Sequence, residues 1–153
     1  MAESEVKIIS SNRRARKDFL VIDTFEAGIV LSGTEVKSIR QGRVNLKQSY
    51  ATIRDGEVFL YNLHINPYEF GNRFNLDPTR RRKLLLHKSQ IRRLIGKVSE
   101  KGLTLIPMSL YFKKGYAKIG LALARGKKLY DRREEIKKKD MEREMRRTYR
   151  GKR

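Results

Sequence analysis

The order of apolar and polar residues in the first 124 positions predicts mostly β-strands. The clearest pair is 49–54 and 57–62, which flank Asp55-Gly56. That dipeptide favours a two-residue type I′ turn, because both central residues of such a turn need a positive φ. We therefore predict an antiparallel hairpin here.

A second predicted hairpin lies further along the chain. Its strands are 103–112 and 116–124, and Lys113-Lys114-Gly115 joins them. Pro107 interrupts the first of these strands, and a proline inside a strand indicates a sheet edge or a bulge.

Two more apolar runs, 19–25 and 29–31, precede these hairpins. Both are rich in β-branched or aromatic residues, which favour strands. We expect the Glu26-Ala27-Gly28 segment between them to turn the chain, so that the two runs form neighbouring strands.

Two helices are predicted between the strands. Ser89 precedes apolar residues with helical spacing at 91, 94, 95 and 98, and Gly102 is a plausible stop. We expect this helix to pack the stripe of these four residues inward against the rest of the domain. A shorter helix is expected from about Thr34 to Gln41, with Val36 and Ile39 facing inward. Five or six short strands with small helices in about a hundred residues favour an antiparallel barrel or sandwich. A basic barrel of the oligonucleotide-binding (OB) type is a natural candidate.

The last 29 residues, 125–153, have a different composition and hold 14 of the 37 Lys and Arg residues. They contain too few large apolar side chains to build a core. Acidic residues placed four positions before basic ones support a helix from about Arg133, by a few tenths of a kcal/mol per pair. Isolated helices of this length are marginal in water, so we expect this basic tail to be disordered alone and helical against a polyanion. The predicted divisions are a flexible leader (1–7), a barrel domain (8–124) and the tail.

The formal net charge of +20, with a pI near 10.5, indicates a protein that binds nucleic acid. A membrane surface could also attract such a chain, but the longest mostly apolar stretch, 103–112, is too short to span a bilayer. The first residues are acidic and polar and do not resemble a signal peptide, so a cytoplasmic location is expected. The absence of cysteine excludes disulfides and thiolate metal sites.

Catalytic motifs are weak. His64 and His87 have neither an HExxH pairing nor a ligand cluster around them, and the glycines form no phosphate-binding loop. We therefore expect no enzyme and no cofactor. A metal-dependent nuclease would need folding to bring together four carboxylates whose spacing does not demand it: Asp18, Asp23, Glu26 and Glu35.

Four segments, at 12–19, 25–40, 77–86 and 120–128, closely resemble the small protein B (SsrA-binding protein) family of bacteria, in order and at matching spacing. The resemblance covers nearly the whole chain. It implies a mainly β, antiparallel OB-like barrel with small flanking helices and a tail that is helical when bound. It also implies an adaptor that binds transfer-messenger RNA and carries it to stalled ribosomes for trans-translation.

By motif match, the resemblance places the family's RNA-binding face on Asn12, Arg13, Arg16, Glu26, Gly28, Lys83 and Leu85. The three basic residues can neutralise phosphates, the Asn and Glu can hydrogen-bond bases or 2′-hydroxyls, and the leucine can pack on a base. Simpler interpretations stay open: Gly28 as a turn glycine, Leu85 as core, Glu26 as a partner that orients an arginine, and Asn12 as a helix cap.

The resemblance also implies partners on the ribosome, namely the 30S subunit and the 70S ribosome with their 16S rRNA. The segment that reaches the decoding centre matches Gly126, Lys127, Lys128, Tyr130, Asp131, Arg132, Arg133, Ile136 and Lys137, and the helix that follows would lie in the empty mRNA channel. Elongation factor Tu and alanyl-tRNA synthetase are implied as partners through the RNA complex. The tail departs from the family at Leu129-Tyr130, commonly Gln-His, and at Met141, commonly Trp.

A different class of function stays open beside this one. A ribosomal or general single-strand RNA-binding protein could use the same basic barrel, and both classes would bind with steep salt dependence. They differ in selectivity, because a general binder holds any single strand by stacking and charge, whereas the adaptor prefers a folded tRNA-like shape.

Overall fold

A computed structural model describes residues 6–70, 76–99, 102–127 and 137–147 of the chain. In chain order its elements are β1 (Val6–Ser11), α1 (Arg13–Asp18), β2 (Phe19–Ile29), α2 (Gly33–Arg40), β3 (Val44–Asn45), β4 (Tyr50–Arg54), β5 (Glu57–Tyr61), β6 (His64–Ile65), β7 (Arg82–Leu85), α3 (Lys88–Val98), β8 (Leu103–Lys113) and β9 (Tyr116–Gly126). A further helix, the tail helix, covers residues 137–147.

The main sheet closes on itself. Seven of the described strands follow the order β1-β8-β4-β5-β7-β2-β9, and β9 also pairs with β8. This last pairing makes a ring of six antiparallel strands, with β1 attached outside it along β8. The mainly β prediction is confirmed, and the closed antiparallel ring is compatible with an OB-type barrel.

The inside of the ring is filled by aliphatic side chains that alternate with outward residues along each strand. On β5, for example, Val58 and Leu60 are fully buried, and on β9 Ile119 and Leu121 are. Burying each such side chain contributes about 1.5–3 kcal/mol. The core therefore fixes which residues of every strand face outward, where a ligand can reach them.

Both predicted hairpins are confirmed. Asp55 and Gly56 connect β4 to β5 with φ values of 51° and 76°, and Lys114 and Gly115 connect β8 to β9 with 52° and 80°. Positive φ at both loop positions is the signature of a type I′ turn. Pro107 marks a bulge, since the register of β8 on β9 shifts just after it.

The turn predicted at Glu26-Ala27-Gly28 is wrong. β2 runs without a break from Phe19 to Ile29, and these three residues pair with positions 118–120 of β9. Ala27 is fully buried. Glycine at position 28 allows β2 and the Leu85 side chain of β7 to lie close together, since a Cβ at Gly28 would lie 3.2 Å from the Cβ of Leu85.

The barrel extends past both predicted boundaries. Val6, inside the segment predicted as a flexible leader, pairs with Lys113 of β8. Arg125 and Gly126, inside the segment predicted as tail, continue β9 alongside the start of β2. Backbone N–H and C=O groups in a sheet hydrogen-bond to a neighbouring strand. A strand therefore continues as long as a neighbouring strand is there to pair with it.

The shorter predicted helix is confirmed as α2. Ser32 caps it, and its hydroxyl and the Glu35 carboxylate each accept a backbone N–H in a reciprocal capping box. Ile39 is fully buried and Val36 is half-buried, as predicted.

The longer helix, α3, begins at Lys88 after the cap residue His87, slightly earlier than the predicted start at Ser89. Its buried stripe is Leu94 with Ile91 and Val98 beside it. The inward placement predicted for Ile95 is wrong, because that residue is 46% exposed. At 100° per residue it lies at the edge of the stripe that the other three share.

Residues 137–147 form an exposed helix within the predicted tail. The predicted start at about Arg133 lies outside the described residues. Disorder of the tail in isolation stays a prediction.

Candidate nucleic-acid interface

Four of the predicted RNA-binding residues meet on the outside of the barrel. Glu26 and Gly28 alternate with buried residues of β2, and Lys83 and Leu85 alternate with buried residues of β7. Gly28 is paired directly with Leu85 across the two strands. We call Glu26, Gly28, Lys83 and Leu85 the β2–β7 surface.

Leu85 is 52% exposed, so the interpretation as a core residue is wrong. It borders an open groove that also reaches His87, Gln90 and Lys118. Gly28 leaves the room in which Leu85 lies, since any larger residue would meet its Cβ. An exposed leucine beside a basic residue offers an apolar contact for a base and a charge for a phosphate.

The Glu26 carboxylate is held by residues of β8. The Tyr111 hydroxyl donates a hydrogen bond to it, and the Lys113 ammonium lies 3.4 Å away. The hydrogen bond from Tyr111 lowers the pKa of Glu26, partial burial opposes this, and Lys113 lowers it further. Burial and the Glu26 charge together raise the pKa of Tyr111. Glu26 is thus an ionised acceptor oriented by a tyrosine and a lysine.

Lys83 forms an ion pair with Glu57 of β5, with 2.9 Å between the ammonium nitrogen and the nearest carboxylate oxygen. Both side chains are close to half exposed, so this ion pair contributes little to stability, about 0–1 kcal/mol. A phosphate can therefore replace the carboxylate at small cost.

Asn12 is buried and caps α1. Its Oδ1 accepts the Ala15 N–H at 3.2 Å, and its Nδ2 donates to the Pro107 carbonyl at 3.0 Å. The interpretation as a helix cap is therefore what the structure shows, and both ends of the amide are engaged within the protein. Arg13 and Arg16 are exposed on the helix that Asn12 holds in place.

The seven predicted residues fall into two groups. Asn12, Arg13 and Arg16 lie on or before α1, which leads directly into the first residue of β2. The β2–β7 surface lies at the other end of the same strand. At about 3.3 Å per residue, the two groups are roughly 25–30 Å apart along β2. The structure does not join them in one pocket, and a ligand that touches both must be extended or large.

Sequence reasoning missed Tyr111, Lys113 and Lys118. Lys118 on β9 pairs with Gly28 on one side and with Tyr111 on the other. The alternation in β8 could have placed Tyr111 outward. Nothing local, however, shows that β9 lies between β8 and β2.

A buried ion cluster anchors the start of β7. Arg82 is 1% exposed, and its Nε donates to Glu35 of α2 at 2.7 Å while its Nη2 donates to the Pro78 carbonyl at 3.0 Å. Arg80 also donates to Glu35. Burial alone would raise the pKa of Glu35, but hydrogen bonds from Arg80, Ser32 and Arg82 lower it overall. Burial lowers the pKa of Arg82.

Each of the four carboxylates in the nuclease hypothesis contacts a different set of partner residues. Asp18 lies 3.6 Å from Arg14, Asp23 lies 3.4 Å from Arg93, and Glu26 and Glu35 have the partners given above. Within the described ranges, no three His, Asp or Glu side chains lie close enough to hold a metal ion. Nor is any helix in those ranges long and apolar enough to cross a membrane.

The predicted ribosome-contacting residues are described only in part. Gly126 ends β9, and the Lys127 backbone N–H donates to the Asp18 carbonyl at 2.9 Å. Lys137 is the first described residue of the exposed tail helix. The other members lie outside the described residues: Lys128, Tyr130, Asp131, Arg132, Arg133 and Ile136.

Comparison with known proteins identifies the family. A sequence model of the family described as "SmpB protein" matches residues 9–151. The chain belongs to the SmpB family. Members named SsrA-binding protein include one from Halothermothrix orenii, 58% identical over 149 residues (97% of this chain and 96% of the relative), and one from Enterococcus faecalis, 57% identical over 153 residues (100% and 99%). A third, from Geobacter metallireducens, is 60% identical over 139 residues (91% of each chain).

A solved SmpB-family structure has the same fold. It is described as "tmRNA-SmpB: a journey to the center of the bacterial ribosome", and its matching chain is 58% identical, with a TM-score of 0.67 over 78% of this chain and 85% of that chain. The resemblance found in the sequence is thus confirmed.

Proposed function

We propose that this SmpB-family protein binds transfer-messenger RNA and delivers it to stalled ribosomes for trans-translation. The observation that carries the proposal is near-complete alignment, at 57–60% identity, with proteins named SsrA-binding protein. The solved relative, described with tmRNA and the bacterial ribosome, supports both partners. A net charge of +20 supplies the attraction for phosphate that such an adaptor needs.

In this proposal the β2–β7 surface grips the tRNA-like part of the RNA. Leu85 packs on an exposed base, Lys83 exchanges Glu57 for a phosphate, and Glu26 accepts hydrogen bonds from base or ribose donors. Arg13 and Arg16 neutralise phosphates about 25–30 Å away along β2. This spacing suits a folded RNA that spans the barrel.

The tail is proposed to act on the ribosome. Its segment from Gly126 to Lys137 would reach the decoding centre, and the tail helix would lie in the mRNA channel. The eleven described helical residues alone make a charged rod about 16 Å long. Message in the channel would exclude it, so ordering of the tail would report an empty channel.

The role is binding and delivery, with no reaction catalysed by the protein itself, and it acts in the cytoplasm where ribosomes work. The pairing of every candidate carboxylate with a basic or tyrosine partner supports this proposal over a nuclease. Elongation factor Tu and alanyl-tRNA synthetase would join through the RNA, and that remains a prediction.

Competition binding tests the proposal. Labelled transfer-messenger RNA is bound at about 0.15 M salt and challenged with bulk tRNA and with single-stranded RNA of equal length. The intact chain is compared with one that ends at Lys127, because β9 and its bond to Asp18 extend that far. Preference for transfer-messenger RNA in both proteins is expected. Equal competition by all three RNAs would favour the general single-strand binder instead.

A further inference from the structure

The outer face of the β4–β5 hairpin is unusual for a sheet surface. Ala51, Val58 and Leu60 face the core and are buried. The residues between them face outward and pair across the two strands: Tyr50 with Tyr61, Thr52 with Phe59, and Arg54 with Glu57. The solvent side of an antiparallel sheet is normally polar. Here three of six outward positions are aromatic.

The rings on this face are arranged for stacking. Tyr50 and Tyr61 are stacked, with centroids 5.4 Å apart and planes within 13° of parallel, and Tyr50 is 40% exposed. The Arg81 guanidinium lies 4.2 Å from the centroid of Phe59. The Arg81 guanidinium also lowers the pKa of the Tyr61 hydroxyl. Aromatic planes and guanidinium groups both stack on bases.

The charge around the rings selects an anionic partner. Arg54 and Arg81 are both exposed at this face, and the one acidic residue among its outward positions, Glu57, is already paired with Lys83. Cations beside flat rings match a chain of phosphates and bases, whereas an acidic peptide would use the cations and leave the rings unused.

The face begins beside the β2–β7 surface, where Phe59 pairs with Lys83, and turns away from that surface toward Tyr50. Going around the ring from β2, the order is β7, β5, β4. In a closed ring of six strands the outward direction turns by about 60° per strand, so Tyr50 faces nearly opposite to Gly28. One rigid RNA helix docked on Gly28 and Leu85 therefore does not reach Tyr50.

We propose that Tyr50, Phe59, Tyr61, Arg54 and Arg81 form a second RNA-binding face, which stacks unpaired bases while the two arginines hold neighbouring phosphates. We call this set the tyrosine face. The inference rests on the proposed function only for the source of the RNA, which is either ribosomal RNA or a single-stranded part of the same transfer-messenger RNA.

The test uses full-length protein and conservative pairs of variants. Tyr50→Leu and Tyr61→Leu remove a ring but keep apolar volume, whereas Tyr50→Phe and Tyr61→Phe keep the ring and remove only the hydroxyl. Phe70→Leu is the matched control, since Phe70 is 77% exposed and lies outside this face. Thermal melting of each variant shows that binding is compared between folded proteins.

Three probes separate the possible sources of RNA: the isolated tRNA-like domain, purified 30S and 70S ribosomes, and a 12-nucleotide oligoadenylate. The leucine variants are expected to weaken oligoadenylate binding about 5- to 150-fold, the range that loss of one base stack gives, while the phenylalanine variants bind like wild type. Loss on ribosomes with unchanged binding to the tRNA-like domain assigns the face to ribosomal RNA, and loss on full-length transfer-messenger RNA alone assigns it to that RNA.

Unchanged binding of every probe by the leucine variants would overturn the proposal. So would displacement of oligoadenylate by polyglutamate at equal charge, since that result indicates an acidic peptide site. Failure of the wild type to prefer transfer-messenger RNA would instead refute the proposed function, and the oligoadenylate comparison would still report on the tyrosine face.

Discussion

At the scale of single residues, Glu26 depends on a side chain two strands away. Tyr111 on β8 reaches across β9 at Gly120, where a Cβ would lie 2.5 Å from the Ser109 hydroxyl. A Cβ there would also lie 3.7 Å from Cε1 of Tyr111, so the tyrosine ring packs next to this glycine on its way to Glu26. Tyr111 is therefore a positioning residue for the carboxylate of the β2–β7 surface.

Tyr111→Phe is expected to lower stability by about 0.5–1.5 kcal/mol near neutral pH, the usual net value of one hydrogen bond. The folded-state pKa of Glu26 is lowered, so the stabilisation is present above the unfolded pKa and is lost as pH falls through the folded one. Urea unfolding from pH 3 to 7 should therefore show a shrinking difference from wild type on the acid side. Tyr116→Phe, at an exposed tyrosine, is the control. A difference that stays constant with pH would contradict the coupling to Glu26.

Gly28→Ala tests the room that Leu85 needs. The new Cβ would lie 3.2 Å from that of Leu85, so β7 must shift by a few tenths of an ångström. Because alanine also restricts the unfolded chain, stability is expected to change by less than about 1 kcal/mol. Binding of the tRNA-like RNA should weaken several-fold. Gly33→Ala, which meets no atom within 4 Å, should leave binding unchanged, and equal effects of both variants would refute the idea.

At the scale of elements, the buried Glu35–Arg82 pair joins α2 to β7. Glu35→Gln leaves the Arg82 charge buried with weaker partners, and breaking such a pair costs about 3–5 kcal/mol. Glu57→Gln, in an exposed pair, should cost no more than about 1 kcal/mol. Urea denaturation at pH 7 measures both. Similar losses for the two variants would show that the buried cluster contributes no more than a surface pair.

The same scale shows what the sequence could and could not predict. Asp55-Gly56 predicted its hairpin correctly, because a type I′ turn depends only on positive φ at two adjacent residues. The continuity of β2 through Gly28 depends on β9, which lies some ninety residues later, and no local pattern encodes that partner. Tyr111 was missed for the same reason. The positions of the β2–β7 surface came from the family resemblance, and their outward alternation then placed them on one face.

At the scale of the whole molecule, the positive charge is divided between the barrel and the tail, which are proposed to bind different RNAs. The chain from Lys128 onward carries 12 of the 37 basic residues, and the barrel keeps the rest. If the tail serves only the ribosome, its removal changes ribosome binding and leaves RNA recognition by the barrel intact. Salt dependence measures this division, because each phosphate neutralised adds about 0.7–0.9 to the slope of log K against log salt.

For the protein ending at Lys127, the slope for transfer-messenger RNA is expected to stay within about one unit of wild type, while the slope for 70S ribosomes with an empty mRNA channel falls by several units. Ribosomes programmed with long mRNA should show the smaller slope already with the intact chain, since message and tail helix are proposed to compete for one channel. A matched intact variant, with Lys137, Lys138 and Lys139 changed to Gln, should lie between the two proteins. An equal fall in slope for both RNAs would mean that the tail is a general polyanion contact, and selectivity for an empty channel would then have to come from the barrel.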